Sequence, residues 1–178
     1  MTFRIEPMTT ADASAVIRIY AEGIATRNAS LERTAPDWAH FDRSHRADCR
    51  FVARRDPGGD LLGWTALGNY SPRAVYRGVA WESVYVGAEA RGLGVGRALL
   101  EALIPASEAA GIWTLLAGVL ADNAASLVLH ERVGFRQVGV QHGMGQDAAG
   151  RWRDVVLLER RSSTVGVPEP DEAAAAID

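Results

Sequence analysis

The stretch "RGLGVG", from Arg91 to Gly96, places three glycines at alternate positions after an arginine, directly before an apolar, helix-like pattern. Glycine is a poor helix former, but it lets a backbone turn tightly and approach a ligand closely. The first N–H groups of a helix have no intrahelical partner, and the helix dipole adds positive charge there. The pattern therefore indicates either an anion site suited to a diphosphate or an ordinary tight turn that needs positive φ angles.

Two better-known glycine motifs do not match this stretch. A P-loop requires Gly-Lys-Ser/Thr, whereas Gly96 is followed by Arg97 and Ala98. A dinucleotide-binding fold carries its glycines early, in a βαβ unit, with an acidic residue about 20 residues further on. Here the glycines lie in the middle of the chain and the next strand ends without that acid.

The elements on either side must position this loop. "VAWESVYVG" is rich in β-forming residues and predicts a strand that ends at Val86. "RALLEALIPASEAAG" predicts a helix with a kink or late break at Pro105 and a stop at Gly111. "IWTLLAGVL" is typical of a strand buried on both faces. "NAASLVLHERVG" predicts a short helix that Asn123 caps and Gly134 ends.

Further strands and helices surround this unit. "FRIEPM" predicts a first strand, "TTADASAVIRIYAEGIA" a helix, and Asp37 the cap of a second helix through about Asp48. "RFVARR" and "LLGWTALGNY" predict one hairpin, and "FRQVGVQHGM" and "RWRDVVLLER" another. Because these hairpins argue against an all-parallel sheet, the predicted fold class is α+β with a mixed sheet.

Composition is that of a globular protein, with 48% hydrophobic and 23% charged residues among 178. A net charge of −3 gives no reason to expect nucleic acid or an acidic membrane as a partner. The one cysteine, Cys49, excludes an intramolecular disulfide, and the four histidines lack metal-ligand spacing, so we expect no metal site. No signal-peptide pattern is evident, and we expect a cytoplasmic protein. We expect one domain over residues 1–161 and a disordered acidic tail over 162–178.

The glycine stretch and the segment "NAASLVLHERVGF", ending at Phe135, resemble in order and separation two motifs of the Gcn5-related N-acetyltransferases (GNAT). More narrowly, the chain looks like the phosphinothricin and arsinothricin N-acetyltransferases. The matching stretches cover nearly all of Phe3 to Arg160 and include "IYAEGIATRNASLE", "SVYV", "RGLGVGRALLEAL", "GIWTLLAGV", "LHERVGF" and "GRWRDVVLLER". The glycine motif alone is moderately specific, whereas these stretches together are strongly so.

The resemblance implies the GNAT fold, a mixed, mostly antiparallel, V-splayed sheet flanked by helices, and a homodimer. It implies acetyl-CoA as cofactor, lying between the parting strands "ESVYV" and "IWTLLAGVL" like an additional strand. Asn123 and Ser126 would contact it, although both residues also suit helix capping. The residues expected to bind the cofactor are Val84, Tyr85, Val86, Arg91, Gly92, Leu93, Gly94, Val95, Gly96, Arg97, Asn123 and Ser126.

Glu82 and His130 are the expected catalytic residues. Glu82 lies in an otherwise apolar or aromatic strand and would act as base, directly or through water, the alternative being a solvated edge or a salt bridge. Relatives usually carry this glutamate one residue earlier, where this chain has Trp81, so alternation along a strand would turn Glu82 to the opposite face. His130 replaces a tyrosine that often protonates the leaving thiolate in the superfamily; its alternative role is packing on a helix face.

The resemblance also implies an acceptor side. Arg73 and Tyr76 match residues near the acceptor pocket, and an arginine fork suits a carboxylate, phosphinate or arsinate. Glu32 and Leu31 lie in a segment expected on the same side, where relatives usually have Phe in place of Leu31. Arg73 as a merely solvated loop residue remains an equal alternative.

The expected activity is direct transfer of an acetyl group, in a ternary complex, to the α-amine of a small glutamate-like toxin. Phosphinothricin, arsinothricin and methionine sulfoximine are the candidate acceptors, and resistance would be the biological role. Two alternatives stay open: an N-acetyltransferase for a polyamine, an aminoglycoside or a protein N-terminus, and a non-catalytic acyl-CoA-binding sensor. The sensor would keep the glycine loop but would need neither a base nor an acid.

Overall fold

A computed structural model describes residues 2–167 of the chain. Helices and strands follow the predicted order, and the two predicted hairpins are antiparallel pairs, as expected. The strands are β1 Thr2–Pro7, β2 Phe51–Asp56, β3 Leu61–Asn69, β4 Val79–Val86, β5 Thr114–Leu120, β6 Arg136–Gln146 and β7 Trp152–Arg161, and the α-helices are α1 Ala13–Ala25, α2 Trp38–Ser44, α3 Val95–Ala109 and α4 Ala124–Arg132.

The strands form a single seven-stranded sheet in the order β1-β2-β3-β4-β5-β7-β6. Every neighbouring pair is antiparallel except β4 and β5, which are parallel. The prediction of a mixed, mostly antiparallel sheet is therefore confirmed.

The sheet opens between β4 and β5. Their pairing is confined to Val79–Trp81 against Thr114–Leu116. Beyond it, β4 remains paired with β3 as far as Val86, and β5 remains paired with β7 as far as Leu120. Each strand is thus held by its outer neighbour while the two inner edges part, which confirms the predicted V-shaped opening.

Helices cover both faces of the sheet because strand side chains alternate between faces. On one face Val16 and Ile19 of α1 and Phe41 of α2 form a buried cluster with Trp64 of β3. On the other face, α3 lies close to β3, where a Cβ at Gly63 would be only 3.1 Å from Leu99 Cδ1. Within residues 2–167, no helix combines the length and apolar character needed to cross a membrane.

α2 and α3 agree with the sequence prediction except at the end of α2. Asp37 caps α2 as predicted, accepting a 2.7 Å hydrogen bond from the His40 N–H. The helix ends at Ser44, however, and not near Asp48, because His45 is extended and bridges to Gly68 of β3. α3 continues past Pro105 to Ala109, and Gly111 follows with a φ of 79°, as expected of a helix stop.

Residues 162–167 of the predicted tail fold back onto Trp113. The Ser162 N–H donates a 2.9 Å hydrogen bond to the Trp113 carbonyl, and Ser162 is buried. A Cβ at Gly166 would lie 2.8 Å from Trp113 Cβ. Residues 162–167 thus pack against the domain, and the rest of the predicted tail, residues 168–178, lies outside the described residues.

Candidate active site

The parting of β4 and β5 creates a narrow cleft of about 70 Å³. Three elements far apart in sequence line it: the end of β4, the end of β5 and one side of α4. Ala29, from the loop after α1, also lines it. The predicted site residues that meet here are Glu82, Val84, Tyr85, Asn123, Ser126 and His130.

Glu82 and His130 form a buried pair in this cleft. Glu82 Oε1 lies 2.6 Å from His130 Nε2, and the two side chains are only 3% and 2% exposed. On the other side of the ring, His130 Nδ1 lies 2.7 Å from the Ser126 carbonyl oxygen. The sequence reasoning named both residues but did not pair them with each other.

The partners of His130 define its protonation. A carbonyl oxygen and an ionised carboxylate only accept hydrogen bonds, so both ring nitrogens donate in an imidazolium–carboxylate pair. Burial by itself would lower the pKa of His130, but the hydrogen bond and charge of Glu82, together with the Ser126 carbonyl, outweigh it and raise that pKa above its ordinary value. The contacts thus favour the protonated form of His130 in this buried pair.

The same contacts distinguish the two members of the pair. Both nitrogens of His130 are engaged, so a leaving thiolate has no free N–H of this ring to approach. Glu82 Oε2, by contrast, is buried and has no hydrogen-bond partner among residues 2–167. Glu82 lines the cleft, and an unpaired buried carboxylate oxygen is strongly driven to find a donor. Glu82 therefore has a carboxylate oxygen without a partner among residues 2–167, whereas both ring nitrogens of His130 are occupied.

Trp81 and Glu82 lie on opposite faces of β4, as strand alternation requires. Trp81 is 36% exposed and lies near Tyr70, with ring centroids 6.1 Å apart. Glu82 turns instead towards α4, where His130 receives it. The shift of the glutamate by one position therefore does not expel it from the cleft; it pairs the carboxylate with a helix-borne histidine.

The glycine loop uses its three glycines for two different physical reasons. Gly92 and Gly94 have φ angles of 77° and 82°, and a Cβ on either would have no atom of residues 2–167 within 4 Å. Gly96 allows close packing, because a Cβ there would lie 3.0 Å from Leu129 Cδ2 of α4. The turn needs positive φ and also leaves open space in front of the start of α3, so the two interpretations of the stretch are compatible.

The start of α3 offers free donors to an anion. α3 begins at Val95, and the N–H of Ala98 makes the first intrahelical bond, to the Gly94 carbonyl at 3.1 Å. The N–H groups that precede Ala98 in this turn therefore lack intrahelical acceptors. Arg97 pairs with Glu101 at 2.7 Å, but both side chains are more than half exposed, so this ion pair contributes little and Arg97 can turn to a phosphate.

Asn123 and Tyr85 have structural partners of their own. Asn123 caps α4 by accepting from the Ser126 N–H at 3.1 Å, and its Nδ2 donates to the Asn28 carbonyl at 2.7 Å. Tyr85 stacks on Trp64 with ring centroids 4.8 Å apart, and burial raises its pKa. The capping role of Asn123 is thus confirmed, and the Tyr85 ring is part of the core.

The expected acceptor residues fall into two groups. Leu31 and Glu32 line a cavity of about 320 Å³ next to Asp147 of the β6–β7 turn. Arg73 and Tyr76 precede β4, where the guanidinium lies 5.3 Å from the Tyr76 ring centroid. No single cavity described here contains both groups. Ala29 and Asp147 were missed by sequence reasoning, because neither residue carries a local pattern that predicts these contacts.

The sequence is similar to those of known acetyltransferases. The acetyltransferase (GNAT) family model matches residues 17–135. A phosphinothricin N-acetyltransferase of Alcaligenes faecalis is 41% identical over 160 residues, covering 84% of this chain and 77% of that protein. An L-methionine sulfoximine/L-methionine sulfone acetyltransferase of Pseudomonas paraeruginosa is 32% identical over 163 residues, covering 89% and 94%.

A solved structure is similar over almost the whole chain. It is a GNAT superfamily phosphinothricin acetyltransferase from Sinorhizobium meliloti in complex with acetyl-CoA, with a TM-score of 0.83 and 26% identity, covering 96% of this chain and 94% of that one. Because the family model spans most of the sequence, and the splayed sheet carries both the glycine loop and a buried acid–base pair, the chain belongs to the acetyltransferase (GNAT) family, as an N-acetyltransferase that uses acetyl-CoA.

Proposed function

We propose that this enzyme acetylates the α-amine of a small glutamate-like amino-acid toxin, by direct transfer in a ternary complex, and so confers resistance to it. The observation that carries the proposal is the buried Glu82–His130 pair in the cleft between β4 and β5. The names of the relatives suggest phosphinothricin or methionine sulfoximine as acceptors. Arsinothricin, which has the same amino-acid portion, is the third candidate.

The residues of the cleft fit acetyl-CoA. The inner edge of β4 beyond Trp81 is not paired with β5, so its backbone groups are available to the amides of an extended chain. The open turn at Gly92 and Gly94 and the free N–H groups of α3 suit a diphosphate. When bound, acetyl-CoA supplies an activated acyl group and a thiol leaving group.

The proposed proton acceptor is Glu82, through Oε2 and either directly or across one water. An α-ammonium must lose a proton before its nitrogen can attack an acyl carbon, and a positioned carboxylate accelerates this step. His130, with Nδ1 near the Ser126 carbonyl oxygen and Nε2 near Glu82 Oε1, is proposed to hold the carboxylate in position in the cleft. Proximity of the two substrates supplies much of the remaining acceleration.

Arg73, with Tyr76, is proposed to bind the acidic group of the acceptor. Its guanidinium lies over the Tyr76 ring, and no carboxylate among residues 2–167 forms an ion pair with it. A planar fork with free donors matches a carboxylate, phosphinate or arsinate bidentately. Leu31 and Glu32 are proposed to form the wall of the pocket on the side of the β6–β7 turn.

A panel of amines tests the proposal. Purified enzyme is given acetyl-CoA with phosphinothricin, arsinothricin, methionine sulfoximine, spermidine, an aminoglycoside or a short peptide, and free thiol is followed. We expect the three amino-acid toxins to have the highest kcat/KM.

Arg73→Gln should raise KM for phosphinothricin about tenfold, the effect of losing one charge-assisted interaction. The exposed Arg43→Gln is the matched control and should leave KM unchanged. Turnover of spermidine or the peptide alone would contradict the assignment.

A homodimer is also proposed, through the edge strand β6. β6 is last in the sheet order, so its outer edge has no strand partner among the described residues 2–167. Val138, Val140 and Met144 on this strand are 47%, 39% and 57% exposed. Exposed apolar residues on an unpaired edge favour association with a second sheet. Light scattering after gel filtration should give the mass of two chains, and Val140→Lys should give the mass of one. The cytoplasmic location and the absence of nucleic-acid or membrane partners remain predictions.

A further inference from the structure

Arg153, the second residue of β7, contacts three separate parts of the molecule. Its Nη2 donates to both carboxylate oxygens of Asp122, at 2.6 and 2.7 Å. Its Nη1 donates to the Arg27 carbonyl at 3.1 Å and lies 3.4 Å from Asp147 Oδ2. The side chain is only 13% exposed. One guanidinium thus joins the loop after α1, the segment before α4 and the β6–β7 turn.

The loop after α1 depends on these contacts. Arg27 has a φ of 57°, a left-handed conformation that is uncommon for a residue other than glycine and needs support from its surroundings. Its carbonyl is held by Arg153, and the next carbonyl, that of Asn28, is held by Asn123 Nδ2. Two consecutive carbonyls of this loop are therefore bound, one by Arg153 of β7 and the other by Asn123, the N-cap residue of α4.

The same region fixes the side chains that line the acceptor cavity. Gly145 is the register partner of Arg153 across β6 and β7. A Cβ at Gly145 would lie 2.8 Å from Leu31 Cδ1, so Leu31 fills the space that this glycine leaves. Leu31 and Glu32 then face the cavity shared with Asp147.

We propose that Arg153 is a positioning residue, which ties the loop over residues 27–32 to the start of α4 and thereby fixes the acceptor pocket relative to the acetyl-CoA cleft. The proposal rests on the proposed function, because it takes Leu31 and Glu32 as acceptor-side residues. α4 is held independently, through the buried His130 and the packing of Leu127 and Leu129 on the core. The loop has no regular secondary structure, so it is the loop that moves when the tie is lost.

Arg153→Met tests the tie, and Arg151→Met is its matched control. Arg151 binds the same Asp147 carboxylate, at 2.7 Å, but it is 66% exposed and, within residues 2–167, contacts neither Arg27 nor Asp122. In Arg153→Met we expect the acceptor KM to rise about tenfold, the effect of one charge-assisted hydrogen bond. We expect kcat and the KM for acetyl-CoA to stay within about twofold of wild type. Arg151→Met should leave all three constants within about twofold.

Asp122→Asn is a second variant that keeps Arg153 in place and the fold intact. It removes the charge from the partner at α4 and should raise the acceptor KM in the same direction by about threefold, because an amide is a weaker acceptor than a carboxylate. Equal increases in the KM values of acceptor and acetyl-CoA, or no change in either variant, would overturn the proposal.

Hydrogen exchange separates this proposal from the proposed function. Without any acceptor present, the amides of residues 26–34 should exchange at least about fivefold faster in Arg153→Met, while those of β4 are unchanged. Faster exchange with no turnover of any amine by wild type would refute the acceptor assignment but keep the tie. Unchanged exchange of the loop, with normal acetylation of the toxins, would refute the tie alone.

Discussion

Replacement of Glu82 by glutamine tests the acid–base pair most directly. Glutamine keeps the shape of the side chain, and its Oε1 can still accept from His130 Nε2, 2.6 Å away in the wild type. The change therefore removes one negative charge and one proton acceptor while it leaves the packing of the cleft in place. Glu131→Gln, an exposed change on α4 beside His130, is the matched control.

The expected loss of activity follows from the role of the carboxylate. Loss of a positioned general base reduces rates by about 10²- to 10⁴-fold, equal to about 3–5 kcal/mol. Because the substitution leaves the glycine loop, the proposed acetyl-CoA site, untouched, the KM for acetyl-CoA should change little. Thiol release with phosphinothricin as acceptor measures both constants. Glu131→Gln should retain the kcat of wild type.

Stability supplies a second readout with a definite sign. In the wild type the pKa of His130 is raised, so its stabilising contribution is fully present below the ordinary imidazole pKa and is lost as the pH rises through the raised value. In Glu82→Gln burial acts without the carboxylate and lowers that pKa, so the variant loses stability as the pH falls. The free energy of unfolding should therefore differ more at about pH 5.5 than at about pH 9, by about 1.4 kcal/mol per unit of pKa difference.

Denaturant unfolding at several pH values, with the control variant alongside, measures this difference. A Glu82→Gln enzyme that keeps kcat within about threefold of wild type would refute the proton-acceptor role, since such a change is far below that of a lost general base. A pH-independent stability difference would refute the ion pair itself.

Two further predictions concern glycines. Gly94→Ala should raise the KM for acetyl-CoA by about tenfold and lower the free energy of unfolding by about 1–2 kcal/mol, because a φ of 82° is strained for alanine. Titration with CoA and thermal unfolding measure the two effects. An unchanged affinity for CoA would contradict the anion site. Gly78→Ala should destabilise the fold by about 3 kcal/mol or more, because its Cβ would lie 2.1 Å from Trp113 Cε3. Denaturant unfolding measures this loss of stability, and a free energy of unfolding within about 1 kcal/mol of wild type would contradict the packing of Trp113.

Local patterns predicted much of the fold because their causes are local. Asp37 and Asn123 cap helices through atoms within a few residues, and Gly111 and Gly134 end helices with φ angles of 79° and 89°. The glycine loop likewise depends on backbone freedom and on the start of the helix that follows it. The predicted end of α2, near Asp48, was wrong because His45 pairs with Gly68 of a distant strand, and helix propensity does not encode such a contact.

The sequence alone predicted the order of strands and helices, the turn before α3, the family, and Glu82 and His130 as candidate site residues. The contact between these two side chains depends on the tertiary structure, because the residues are 48 positions apart and Glu82 reaches His130 only when β4 and α4 pack together. The tertiary structure also shows that both nitrogens of His130 are occupied and that Arg153 joins the loop after α1 to the segment before α4. Local propensity acts over a few residues, whereas the contacts of this site are made by elements that the sheet brings together.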